Sequence, residues 1–119
     1  MRPICNHIQA ALLRAIVAEL AFAATDREKT VMVVEAVHSR DWASATFVGA
    51  THIIDIRIEG ETDAVARAAT RLVAGLPDRE IAISGHILAE IVAHEKSAID
   101  LSVTMIAKLL TVNALTIID

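Results

Sequence analysis

Aromatic residues make up only 3 % of the 119-residue chain, and tyrosine is absent. Stacking platforms for single-stranded nucleic acid are therefore scarce, as are the aromatic anchors of tight binding surfaces. A single cysteine, Cys5, excludes an internal disulfide and points to a reducing, cytoplasmic setting in which the thiol is buried and inert. The four glycines, at 49, 60, 75 and 85, fall at expected turns or element ends. They form no phosphate-binding pattern, so dinucleotide and P-loop chemistry lack their first requirement. Excess positive charge is missing too: 11 basic against 15 acidic residues leave a net charge of −4, and the basic residues are scattered, which excludes nucleic acid as a natural partner. No apolar run approaches the roughly 18 residues that span a bilayer. The opening "MRPICNHIQAALLRAIVAELAFAATD" has the outline of a leader, but Arg14 and Glu19 interrupt the apolar segment a leader requires. No membrane partner is expected.

Apolar residues, by contrast, are abundant, at 55 % with a mean hydropathy of +0.52. A chain of this length forms one domain, 1–119, that removes about two-thirds of its unfolded surface from water. Apolar content this high predicts that some of the remainder is covered by another chain. Ile4, Ile8, Leu12, Ile16 and Leu20 recur every fourth residue, with Leu13 and Val17 widening the stripe, which predicts a core-facing helix with Asn6 as a possible cap. From Thr30 onward, "TVMVVEAVHS" reads as a strand. "ASATFV" and "THIIDIRIE" then flank Gly49-Ala50, the pattern of a two-residue hairpin turn. Thr62 is placed to cap a second helix carrying Val65, Ala69, Leu72, Val73 and Leu76, which Gly75 and Pro77 end.

The segment "ISGHILAEIVAHE" fits a helix or a strand. The strand is preferred, because "EKSA" then turns into an arm that alternates at Ile99, Leu101, Val103 and Met105, with "NALTIID" a short strand or tail. The expected fold is α+β: an antiparallel sheet of about five strands with two helices on one face, in the order α-β-β-β-α-β-β.

The nearest approach to a chemical motif is "THIIDIRIEG", with His52 three places before Asp55. Residues an odd number apart on a strand point to opposite faces, so the two cannot form a local pair. Asp55, Arg57 and Glu59 read as a solvated face. "HSRDW" gathers His38, Ser39 and Asp41, but a triad needs side chains converging from separate elements, and a strand-end turn fits better. His86 and His94 lie about 26 Å apart on a strand or about 12 Å apart on a helix, too far to chelate one ion. No metal site and no cofactor are expected. What stays open is a site assembled across strands from His52, His86 and Glu90.

The stretches "WASATFVGATHIIDIRIEG", "AGLPDREIAISGHILAEIVAHE" and "KLLTVNA" resemble a group of small bacterial proteins of unknown function that run hairpin, helix, then a strand pair led by glycine and histidine. The resemblance covers residues 30–114 and implies a strand over 87–95. It brings no functional residue with it. The first functional reading is a non-enzymatic, self-associating interaction or assembly protein. Its homodimer interface draws on Val103, Met105, Ile106 and Leu110, where both faces of the strand turn apolar. A small-ligand binder is the second reading, and an enzyme using His52, His86 or Glu90 the third. The sequence names neither a small-molecule nor a protein partner.

Overall fold

A computed structural model describes residues 6–23 and 30–119. Helix α1 spans His7–Ala23, strand β1 Thr30–Ala43, β2 Val48–Glu61, helix α2 Thr62–Gly75, β3 His86–Asp100 and β4 Met105–Ile118, with one 3-10 turn at Leu76–Asp78. The four strands form one antiparallel sheet in the order β1-β2-β4-β3, and both helices cover the same face.

The α+β layer and the single-sided helices agree with the sequence, but the described residues form four strands rather than five, in the order α-β-β-α-β-β. The hairpin turn lies at residues 44–47, not at Gly49-Ala50. Ser44 makes it: its amide donates to the Phe47 carbonyl (2.8 Å), and its hydroxyl accepts from the amides of Thr46 (3.4 Å) and Phe47 (3.1 Å). Gly49 is glycine for another reason: a Cβ there would overlap the Thr116 carbonyl oxygen on β4.

The second hairpin repeats the device. The Ser102 hydroxyl accepts from the amides of Thr104 (3.3 Å) and Met105 (3.2 Å), which puts the turn at 101–104. The expected turn "EKSA" is instead part of β3, and the regular alternation from Ile99 to Met105 runs across a hairpin tip. "NALTIID", expected as a short strand or a tail, supplies through Ile118 the second half of the long strand β4, where Ala114 and Thr116 are buried.

Three bulges set which side chains face the helices. On β1, Val34 pairs with Ile56 and Ala36 with Asp55, so Glu35 is the extra residue. Met32 and Val34 before it, and Val37 and Ser39 after it, therefore share one face despite their odd spacing. On β3 the extra residues are Ala89 and Lys96. Leu88, Ile91 and Ala93 consequently share the helix side.

Helix α1 buries Ile8, Leu12, Ile16 and Leu20 as its period predicts, while Ile4 lies outside the described residues. Its start is a reciprocal cap: the Gln9 amide donates to Asn6 Oδ1 (2.8 Å) and the Asn6 amide to Gln9 Oε1 (3.2 Å). Helix α2 buries Ala64, Val65, Ala68, Ala69 and Leu72, but Val73 is exposed. Thr62 does not cap it. Its amide and hydroxyl both donate to the Thr104 carbonyl (3.0 and 3.3 Å), fastening the helix start to the second hairpin turn. Glu19, which falls away from the centre of the α1 stripe, is nevertheless 5 % exposed and joins the helices through ion pairs to Arg71 (3.3 Å) and Arg79 (3.1 Å). Gly75 makes room for that carboxylate, because a Cβ there would stand 2.6 Å from Glu19 Oε2.

Candidate functional site

His52 sits on the helix-facing side of β2, 1 % exposed, with Ile54, Ile56 and Ile58 farther along the same face. Asp55 leaves the opposite side, where it accepts a hydrogen bond from the Thr111 hydroxyl (2.7 Å) and lies 3.8 Å from Lys96. The strand parity read from the sequence therefore separates the two residues.

The partners of His52 come from three other elements. Ser39, its direct neighbour on β1, places Oγ 2.7 Å from Nδ1, and Thr116 on β4 places Oγ1 2.9 Å from Nε2. From α1, Gln9 Nε2 donates to Ser39 Oγ at 2.7 Å. Because Gln9 donates to Ser39, the Ser39 hydroxyl hydrogen is left for Nδ1, and one placement of the protons satisfies every partner. Ser39 accepts from Gln9 and donates to Nδ1. Nε2 carries the ring hydrogen and donates to Thr116, whose hydroxyl turns to the Ala50 carbonyl (3.5 Å). With the protons so placed the ring is neutral and both its nitrogens are satisfied. Burial lowers its pKa below the ordinary 6.5, and repulsion from His86 lowers it further.

A serine hydroxyl 2.7 Å from an imidazole is the distance of an activated nucleophile. The remaining geometry differs from that chemistry. The far ring nitrogen meets a hydroxyl rather than a carboxylate, and a cationic ring would be opposed by His86. The arrangement serves as a hydrogen-bonded node that pins α1, β1, β2 and β4 in one register. Of the "HSRDW" residues, Ser39 alone joins it. His38 pairs with Ile53 on the other face.

Among the three residues considered for an assembled site, His52 and His86 share the helix side, while Glu90 pairs with Leu115 and stands exposed on the bare face. The sheet lies between them. His86 instead meets His7, with ring centroids 5.5 Å apart, and both rings donate to the Ser84 carbonyl, from His86 Nδ1 at 3.0 Å and His7 Nε2 at 3.3 Å. Among the described residues no group of three or more His, Cys, Asp or Glu side chains could hold a metal ion, and Cys5 lies outside them. The space between sheet and helices is filled by Leu12, Ile16, Ile54, Ile56, Leu72, Leu110 and their neighbours. Leu110, expected on a dimer interface, is thus core, because residues 110, 112 and 114 of β4 all face the helices. Val103 is fully exposed at the tip of the second hairpin, Met105 is exposed, and Ile106 packs at the core margin.

The bare face of the sheet is the other chemically distinct surface. Ile53, Ile87 and Ile99 lie on it, 41, 52 and 48 % exposed. Between them runs a polar band in which Arg57 lies 4.0 Å from Glu35 and 3.4 Å from Glu59, beside the Asp55, Thr111 and Lys96 group. Gln9, Ser39 and Thr116 carried no signal in the sequence as partners of His52. Their meeting depends on strand register and on the bulge at Glu35.

Among the described residues, no helix is long and apolar enough to cross a membrane. No family model matches the chain, and no curated protein matches it, so the comparisons, like the resemblance read from the sequence, bring no functional residue with them. Among solved structures, a chain described as "Virion of native gene transfer agent (GTA) particle" is similar, with a TM-score of 0.57 over 93 % of this chain and 95 % of that one, at 17 % sequence identity. At that identity the likeness shows a shared fold.

Proposed function

We propose that the protein is a non-enzymatic, self-associating assembly component, for which a homodimer is the smallest unit. The observation that carries this reading is the sheet: two helices cover one face, while the other keeps half-exposed isoleucines and both edge strands lack a neighbour among the described residues. Completing the burial of a half-exposed isoleucine is worth about 1 kcal/mol, and a free strand edge is a template for another strand. Support also comes from the structural neighbour, which belongs to a virion particle. A cytoplasmic location is part of the same proposal and rests on the lone cysteine. Sedimentation velocity over a range of concentrations tests it. The expected weight-average mass is at least twice the 12.8 kDa of the chain. A mass that stays at one chain up to about 100 µM refutes the proposal.

A further inference from the structure

Granted self-association, the geometry points to its mode: copies join head to tail, the outer edge of β3 in one copy pairing antiparallel with the outer edge of β1 in the next. An even number of strands, all antiparallel, makes the two outermost strands run in opposite directions. A second copy in the same orientation therefore continues the alternation without a break.

The rows of the sheet bring matched side chains to the two edges. Arg40 on β1 and Glu90 on β3 belong to one row, through Thr51 and Leu115. The bulged residues Glu35 and Lys96 lie on either side of the row through Ile56 and Leu110, so each edge carries a bulge within one residue of the same level, while the second bulge of β3, at Ala89, has no counterpart on β1. All four charged residues are exposed. Glu35 and Lys96 both contact the bare-face band, through Arg57 and Asp55. Side by side at this level, the edges set Lys96 against Glu35 and Glu90 against Arg40, two opposite-charge pairs of opposite polarity. Apolar rows flank them: Trp42 meets Ile87 at one end, and Val31 meets Ile99 at the other.

Stacking two bare faces would bury the Arg57 and Asp55 ion pairs, whose desolvation offsets the Coulombic gain. Edge pairing leaves them in water. Because one edge meets the other, each added copy presents a new free edge, and growth passes beyond the dimer into a ring or a filament.

The test uses two full-length variants, Glu35→Lys with Arg40→Glu on the β1 edge, and Lys96→Glu with Glu90→Arg on the β3 edge. Like charges then face each other within either variant, and association of each alone weakens on the order of a hundredfold. An equimolar mixture restores both pairs at every contact, so it assembles as the wild type does. Either variant assembling alone at wild-type strength overturns the head-to-tail contact, as does a mixture that stays monomeric. Amide hydrogen exchange on the wild type gives a readout without mutation: protection rises with concentration along both β1 and β3, and protection along one edge alone overturns the inference. A monomeric wild type would sink self-association itself, whereas an assembling wild type with indifferent variants sinks only this contact.

Discussion

Acidification is expected to destabilise the wild-type protein more steeply than a His52→Gln variant, and the difference can be worked from the node around His52. The folded-state pKa of His52 lies below 6.5, chiefly because the ring is buried and secondly because of His86. In the unfolded chain the ring titrates at its ordinary value. Well above pH 6.5 neither state holds the proton, and stability is complete. Below it the unfolded chain binds a proton that the folded one refuses, so stability falls with decreasing pH until the folded pKa is reached. The limiting slope for one proton is about 1.4 kcal/mol per pH unit. Over the first unit below 6.5 the loss amounts to at most about 1 kcal/mol. Glutamine keeps a donor and an acceptor for Ser39 and Thr116 but does not titrate. At neutral pH the variant should lose about 1 to 2 kcal/mol through poorer filling of the site. Urea denaturation of both proteins at one fixed concentration, from about pH 8 to about pH 5, gives the two stability curves. Curves that converge as the pH falls support the reasoning. Parallel curves refute it, because His52 would then titrate alike in the folded and unfolded chains.

Four further outcomes follow from the packing. Leu110→Lys, which puts a charge into a fully buried position, should cost more than about 4 kcal/mol and yield unfolded chain by circular dichroism, whereas Val103→Lys at the exposed hairpin tip should change the melting free energy by less than about 0.5 kcal/mol. Gly75→Ala crowds the buried Glu19 carboxylate and should cost about 1 to 2 kcal/mol in urea denaturation, a loss that Glu19→Ala in the same chain would mask if the clash is its cause. Gly49→Ala meets the backbone of β4 rather than a side chain, so it should cost about 3 kcal/mol and speed hydrogen exchange at the adjoining β2 and β4 amides. Asn6→Ala removes the reciprocal cap of α1 and should lower stability by about 1 kcal/mol.

Where a segment's period was unbroken, the sequence was readable. The fourfold spacing in α1 names four of its buried residues, and the alternation in "THIIDIRIE" separates His52, with Ile54, Ile56 and Ile58, from Asp55 on the opposite face. Structure and sequence part where a local signal has two physical causes. Glycine at 49 marks a close backbone approach as readily as a turn, and only the neighbouring β4 distinguishes them. The turns lie earlier in the first hairpin and later in the second than the sequence suggests, because a serine hydroxyl that accepts two amides is as effective a turn signal as glycine and much less conspicuous. The sequence points to a dimer interface for Leu110, which is core, because an apolar run contains no mark of which face another layer will cover.

The sequence by itself determined the layer type, the centre of each helix stripe though not its width, since Val17 and Val73 are exposed, and the parity of each unbroken strand; these follow from periods of 3.6 and 2 acting over neighbouring residues. Tertiary structure alone decided the bulges at Glu35, Ala89 and Lys96, and with them which residues beyond each bulge face the helices. A bulge is chosen by the fit of one strand to its partner, so no local period announces it. The meeting of Gln9, Ser39, His52 and Thr116 has the same origin. Ser39 reaches His52 because one extra residue in β1 turns it inward, and Thr116 arrives from 64 positions away because β4 pairs with β2 in a register that the whole sheet settles together.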